Sequence, residues 1–434
     1  MPALLAVLLL LPVCAPAGYD TITISNPFLH KIPIAVPDLK SLSDTAQEED
    51  LSRSVAGLLS ETLTFTRYFK VIDRAAFLEE PRKTGIGLND IDFKNWSTIG
   101  ADFLVTGGVA INKDTVVLEL RLMDVFKQQM LIGKRYKAKV DDQRRIVRRF
   151  CAEILAQLTG QPGYFDSRIA FVSTGTGTKE IFICEFDGYN PYRITDNQSI
   201  NLSPALSGDG QWLAYTSYWK GKPDLYIQHL TDRRMVVFDR PGVNISPEWR
   251  PNRFELAATL SFSGDQEIYL LTGHGKILKQ LTQSWDIDVS PTFSPDGKRI
   301  GFVSKRGGTP QIYVMEIDSG HTERLTFEGK YNTTPEWSPA GDKIAYCSLE
   351  NGRFDIRVVD VATKDSVRLT EGLGDNESPT WSPDGSLIAF SSTRGDGKSR
   401  LYVMTVAGTD LKELLILPGE QFSPSWSRGP VDGK

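Results

Sequence analysis

A small α/β domain followed by an all-β propeller of six blades is the fold class predicted by the sequence, and three observations predict it. A Ser-Pro or Thr-Pro pair recurs at Ser203, Ser246, Ser290, Thr334, Ser378 and Ser423, with spacings of 43, 44, 44, 44 and 45 residues. Each copy carries short apolar runs separated by turn residues, the pattern of a four-stranded blade. The segment ahead of the array has a different rhythm, alternating helix-period with strand-period stretches, as a separate α/β domain does.

Taken from the N-terminus, residues 1–17 read as a secretory signal peptide. Leu4 to Val13 is apolar but too short to span a bilayer, and Ala15-Pro16-Ala17 supplies a small-x-small cleavage site. No Lys or Arg precedes the run, and Leu11-Pro12-Val13-Cys14 is a poor lipoprotein box because Val13 is not small. Tyr19 to Ser25 then alternates polar with apolar residues, suiting either an edge strand of its own domain or a tether that pairs with a partner's sheet edge.

Gln47 to Phe65 carries Leu51, Val55, Leu58, Leu59 and Leu63 in a helical stripe. Val71-Ile72, Phe103 to Val109 and Val116 to Leu122 read as strands. Asp141 to Leu158 closes the domain as an amphipathic helix, and its Arg144, Arg145, Arg148 and Arg149 are expected to form a solvated face. Gly160 and Pro162 end that helix. The expected boundaries are 18–160 for the α/β domain, 161–165 for a linker, 166–430 for the propeller and 431–434 for a tail.

Within the array, the third residue after each Ser or Thr is bulky: Leu206, Trp249, Phe293, Trp337, Trp381 and Trp426. One such residue per blade at one phase is what packing between sheets requires, so these read as core rather than as a stacking surface. Turns such as Ser294-Pro295-Asp296-Gly297 and Ser382-Pro383-Asp384-Gly385 follow. Asn252 and Ala340 replace the Asp in two copies, which favours turn chemistry over a cation loop. The sixth Ser-Pro strand, at Ser423, has no second strand after it, while Ile169 to Ser173 has the second-strand phrase with no Ser-Pro strand before it. One blade is therefore split between the two ends of the array, which closes the ring and buries its edges.

Net charge is −5, with 40% hydrophobic and 24% charged residues, an ordinary globular composition without the broad basic field of a nucleic-acid binder. Cys151, Cys184 and Cys347 lack metal-ligand spacing and read as buried thiols. No HExxH helix, Gly-x-Ser-x-Gly elbow, Walker loop or dinucleotide fingerprint is present. An exported propeller enzyme acting on carbohydrate or peptide through scattered residues stays open as the alternative to a binding protein.

The Ser-Pro-x-Trp-Ser-Pro-Asp-Gly-x-x-Ile-Ala-Phe phrases, the order of domains, Asp187-Gly188-Tyr189-Asn190, Leu158-Thr159-Gly160 and Ile34-Ala35-Val36-Pro37 together resemble the TolB family of the bacterial Tol-Pal system, over essentially the whole chain. The resemblance implies a non-enzymatic, cofactor-free, monomeric adaptor in the periplasm, associated peripherally with the outer membrane through the lipoprotein Pal. It supports outer-membrane integrity and constriction at division. It further implies that Pal docks over the central opening, near the loops leading into the innermost strands. In this sequence those loops place Asn201, Asn244, Asp288, Asn332, Asn376 and Gln421 two residues before each Ser or Thr, with Val243, Val289, Trp285 and Tyr331 as apolar neighbours. Two readings of the six polar residues stay open: they satisfy the backbone of an inserted loop, or they cap the start of their own strands. A histidine that family members can carry just ahead of one such strand is replaced by Val243. Residues 18–34, with Tyr19, Asp20, Ile22 and Ile24, are by the same resemblance the expected contact for the inner-membrane protein TolA.

Overall fold

The computed structural model describes residues 31–427 apart from 44, 79, 81–85 and 162. The signal sequence, the Tyr19 to Ser25 segment with Asp20, Ile22 and Ile24, and the 431–434 tail lie outside the described residues.

The α/β domain consists of β1 (Ile32–Ala35), β2 (Lys40–Ser41), α1 (Ala46–Phe65), β3 (Phe69–Val71), α2 (Phe93–Thr98), β4 (Phe103–Asn112), β5 (Thr115–Asp124), β6 (Gln129–Lys139) and α3 (Gln143–Thr159). Its six-stranded sheet runs β3-β1-β4-β5-β6, with β1 parallel to both neighbours, β2 parallel to β4 off that path, and the β4-β5 and β5-β6 pairs antiparallel. The strands expected at 71–72, 103–109 and 116–122 are present, each shifted or extended by a few residues. β1 was not expected, because Pro33 removes a ladder donor and argues against a central strand. Its carbonyl nevertheless accepts from Asp102 N at 3.0 Å, and Ile34 beside it is fully buried. Residues 31–34 therefore belong to the fold, which shortens the expected N-terminal tether to residues 18–30.

α1 starts at Thr45, whose hydroxyl caps Glu48 N. Its apolar stripe, Leu51, Val55, Leu59 and Leu63, meets Ile146, Val147, Phe150 and Ile154 of α3 over the sheet. α3 ends where Gly160 takes the left-handed conformation, φ 73°, a geometry that only glycine adopts without strain.

The propeller comprises six four-stranded antiparallel sheets. Blades 1 to 5 begin with the strands Asn201–Leu206, Asn244–Trp249, Asp288–Phe293, Asn332–Trp337 and Asn376–Trp381. Blade 6 joins Gln421–Trp426, near the C-terminus, to Arg168–Ser173, Glu180–Glu185 and Tyr192–Arg193. The ring is thus closed by the expected split blade. The six bulky residues are all buried, at 0–7% exposure. Three of the indoles also donate outside their own sheet: Trp249 Nε1 to Ala205 O, Trp381 Nε1 to Glu336 O, both at 3.0 Å, and Trp426 Nε1 to Ser167 Oγ at 2.8 Å. The turn aspartates act within their own hairpins, Asp296 accepting from Ser294 Oγ and Lys298 N, and Asp384 from Ser382 Oγ and Ser386 N.

The two domains share one core. Phe65 and Phe165 pack edge-on against Phe186 of blade 6 at 5.2 and 5.3 Å, and Tyr164 packs edge-on against Trp426. Two of the four arginines of α3 depart from the expected solvated face. Arg144 pairs with Glu185 and Asp187 and lies 3.8 Å over the Tyr189 ring, while Arg148 pairs with Glu185 at 2.9 Å. Arg145 and Arg149 remain exposed. The propeller groups paired with the α/β domain, Glu185, Asp187, Tyr189 and Asp410, lie in or beside turns joining third to fourth strands. Because strands alternate in direction, those turns share one face of the ring. The loops leading into the innermost strands lie on the opposite face.

Candidate functional site

Each innermost strand is an edge strand, and each handles that exposure in the same way. Its Ser or Thr adopts a left-handed conformation with φ between 46° and 54°, and the pairing register slips there so that two residues oppose one. This is a β-bulge, followed by a proline that has no N–H to offer. The six bulges line the axis of the ring, enclosing a cavity of about 150 Å³ walled by the Ser/Thr-Pro pairs together with Glu248, Glu336, Thr380 and Ser425. A bulk water occupies about 30 Å³ and drug-sized ligands need roughly 300 Å³ or more, so the space suits a few waters rather than a saccharide. The repeat that marks the blades in sequence is also the channel lining, a role its spacing alone did not reveal.

Above the bulges sit the six polar residues expected at the opening. Asn201, Asn244, Asp288, Asn332, Asn376 and Gln421 are all 0% exposed, so their side chains are not presented to a partner. Of the two readings left open by the sequence, the burial matches the local one, with a difference: most of these residues fasten their strand to the preceding blade. Asn201 Nδ2 donates to Glu180 Oε2 and Lys179 O, both at 3.0 Å. Asn244 Nδ2 reaches Asp224 Oδ1 at 3.2 Å, Asn332 Nδ2 reaches Gln311 Oε1 at 2.8 Å, and Asn376 Nδ2 reaches Asp355 Oδ1 at 3.1 Å. Gln421 Nε2 donates to Leu417 O and Pro418 O. Amides fit because the facing groups are acceptors, and leaving those unpaired in the interior would cost about 1–3 kcal/mol each.

A threonine completes several of these latches. Thr195, Thr282, Thr326 and Thr370 each accept from the backbone N–H of the third strand, at 2.8–2.9 Å, and each donates to the same buried acid or amide. With the side chains above the bulges committed inward, the accessible surface of this face is left to the loops.

Those loops carry exposed apolar side chains among their charged ones. Trp285 is 100% exposed, Ile416 82% and Leu373 61%, each in a loop leading into an innermost strand. Ile200 and Tyr331 are exposed in the corresponding loops, and Val243 is half-buried in the sixth. Val289 is half-buried on its strand, between Asp288 and Ser290. Every one of the six loops therefore offers an apolar side chain around one opening, with Trp219 and Phe262 exposed on neighbouring loops of the same face. Scattered exposed apolar residues are ordinary, but a ring of them on one face marks an interaction surface.

Among the described residues, no group of His, Cys, Asp and Glu could hold a metal ion. Cys151, Cys184 and Cys347 are unpaired and buried, and burial pushes their thiols up, that of Cys347 to about 12. No helix among the described residues is long and apolar enough to cross a membrane.

Comparison with known proteins agrees with this architecture. A profile of the TolB beta propeller domain matches residues 155–429, and one of the TolB amino-terminal domain matches residues 20–131. The chain belongs to the TolB family. The Tol-Pal system protein TolB of Desulfosudis oleivorans is 71% identical over 430 residues, covering 99% of this chain and 98% of its own. A TolB homolog of Chlorobaculum tepidum is 41% identical over 250 residues, covering 58% of this chain and 56% of its own. The crystal structure of TolB from Acinetobacter baumannii superposes with a TM-score of 0.79 at 26% identity, covering 92% of this chain and 97% of that one. As a TolB-family member of the Tol-Pal system, the chain is a non-enzymatic propeller protein. The TolB-type phrase Asp187-Gly188-Tyr189-Asn190 gains a physical meaning. Asp187 and Tyr189 hold Arg144, and Gly188, at φ 85°, lies so close to Leu414 O that a Cβ would fall 2.3 Å from it.

Proposed function

We propose that the chain is a periplasmic adaptor of the Tol-Pal system, binding Pal at the propeller face opposite the α/β domain and TolA through residues 18–30. Through these contacts it supports outer-membrane integrity and envelope constriction at division. The ring of exposed apolar loop residues around the opening, on the face the α/β domain leaves free, is the observation that carries the Pal assignment. Interfaces of this kind draw most of their energy from a few central aromatic and aliphatic anchors. Trp285, Leu373 and Ile416 are the anchors, with Tyr331, Val243 and Val289 completing the surface. The narrow channel favours a partner seated across the mouth over a substrate threaded through it.

Calorimetric titration of Pal tests this reading. Trp285→Asp and Ile416→Asp are expected each to weaken Pal at least tenfold while leaving the unfolding midpoint unchanged, because neither side chain is buried. Unchanged affinity in the double variant would remove the mouth assignment. For TolA, a variant lacking residues 18–30 should keep Pal and lose TolA. Cutting to residue 34 would remove β1 and confuse a binding defect with a folding one.

A further inference from the structure

One of the six latches is built from the wrong residue. Where Asn201, Asn244, Asn332 and Asn376 present an amide donor to the preceding blade, blade 3 begins with Asp288. The facing group is again an acid, Glu267, itself 3% exposed, with its two oxygens accepting from Thr282 Oγ1 and Ser284 N, both at 2.6 Å.

The molecule contains its own control for this site. At blade 5, Asn376 Oδ1 accepts from Arg394 at 2.7 Å and from Ser392 Oγ, while Nδ2 donates to Asp355. At blade 3, Asp288 Oδ2 likewise accepts from Arg306 at 2.7 Å, and Arg306 lies over the Phe302 and Tyr313 rings as Arg394 lies over Phe390 and Tyr402. The second oxygen, Asp288 Oδ1, is buried and has no hydrogen-bond partner. By the equivalence of the two strands it takes the place of the Asn376 amide nitrogen, beside Glu267, whose Oε2 already accepts from Thr282 Oγ1.

We propose that Asp288 is held as the neutral acid, its Oδ1 proton donated to Glu267, so that the junction between blades 2 and 3 is a latch that tightens at low pH and loosens at high pH. With that proton in place the cluster of Asp288, Glu267 and Arg306 is electrically neutral and the latch reproduces its amide counterparts. When the proton leaves for solvent, two buried carboxylates face each other and one arginine, itself partly exposed, remains to balance them. The other charged groups of the surrounding loops are Asp265 and Asp286 on the blade 2 side and Lys305 on the blade 3 side. Burial raises both carboxyls above their ordinary values, with the Asp288 charge adding to it for Glu267, despite the threonine, serine and arginine contacts that oppose the shift. The sign follows. A raised carboxyl contributes stability that is complete below the ordinary carboxylate range and is lost as pH rises through the folded-state value.

The test uses the full chain and no partner, so its failure is separable from failure of the proposed binding. Unfolding midpoints of wild type and Asp288→Asn are compared from pH 4 to pH 9. The variant installs the residue used at four other blades and is expected to fold. Relative to wild type it should gain in folding equilibrium as pH rises, about tenfold for each unit by which the folded-state value is raised. A difference that stays flat across the range overturns the proposal. Carbon-13 carboxyl shifts provide the second measurement. Asp288 should titrate above the ordinary aspartate value of about 3.9, and titration at or below it would show that Arg306 holds a carboxylate instead.

Discussion

At the scale of single residues, the same side-chain type serves opposite ends according to what faces it. Glu48 shows the converse of the Asp288 latch. Burial pushes its carboxyl up, but hydrogen bonds from Ile111 N at 2.7 Å, Ser41 Oγ and Ser43 N outweigh that and hold it below the ordinary range. The carboxylate ties the first turn of α1 to β2 and β4, so Glu48→Gln, which keeps the shape but replaces one acceptor with a donor, is expected to cost about 1–3 kcal/mol at neutral pH. A lowered acid stabilises above its unfolded value and loses that contribution as pH falls through the folded one. The deficit of the variant, read by urea unfolding, should therefore shrink below about pH 4. A deficit independent of pH would show that Glu48 acts through shape alone. The identity of such residues was legible in the sequence; their burial was not. Asn201 and its five counterparts occupy a fixed phase in the repeat, but whether a polar side chain turns outward or into the preceding blade depends on acceptors contributed some 20 residues earlier, such as Glu180 and Asp355.

At the scale of elements, the strand pattern of the propeller was readable because the Ser/Thr-Pro pair and the bulky core residue recur at one period in all six copies, with a turn aspartate in several of them. The α/β domain was read less completely, since β1 carries a proline and β6 is largely exposed, so neither shows a clean alternation. The arginines of α3 were misjudged for a related reason. A run of four looks like a solvated face until the third-to-fourth-strand turn of blade 6 is placed against it. This contact yields two predictions. Gly188→Ala should destabilise by about 1–3 kcal/mol or more, because it combines a left-handed backbone with a clash against Leu414 O. The interaction between Arg144 and Asp187 in a double-mutant cycle should reach about 1 kcal/mol. The more exposed Lys31–Asp410 pair, with both side chains about a third accessible, should give roughly half that or less. Equal coupling energies at 0.1 M salt would mean that partial burial of the first pair brings no advantage.

At the scale of the whole molecule, the two faces of the ring have different tasks. One is occupied by the α/β domain through a shared aromatic core, and the other carries a ring of exposed apolar side chains around a narrow channel. Such a division requires the ring to hold its shape, and that depends on one noncovalent closure: Gln421–Trp426 pairing with Arg168–Ser173, with Trp426 packed against Tyr164 and bonded to Ser167. The same strand thus closes the propeller and contributes to the interdomain core. Removing residues 421–434 should therefore do more than shorten one sheet. It exposes the inner edge of blade 6, empties the position of a buried indole worth about 3–5 kcal/mol, and uncouples the two domains. Wild type is expected to unfold in one transition and the truncated chain in two, with rapid proteolysis near residues 161–165. Trp426→Ala, which keeps the strand, separates packing from closure. It should lower the unfolding midpoint yet preserve a single transition, and a single transition in the truncated chain as well would show that closure of the ring does not couple the domains.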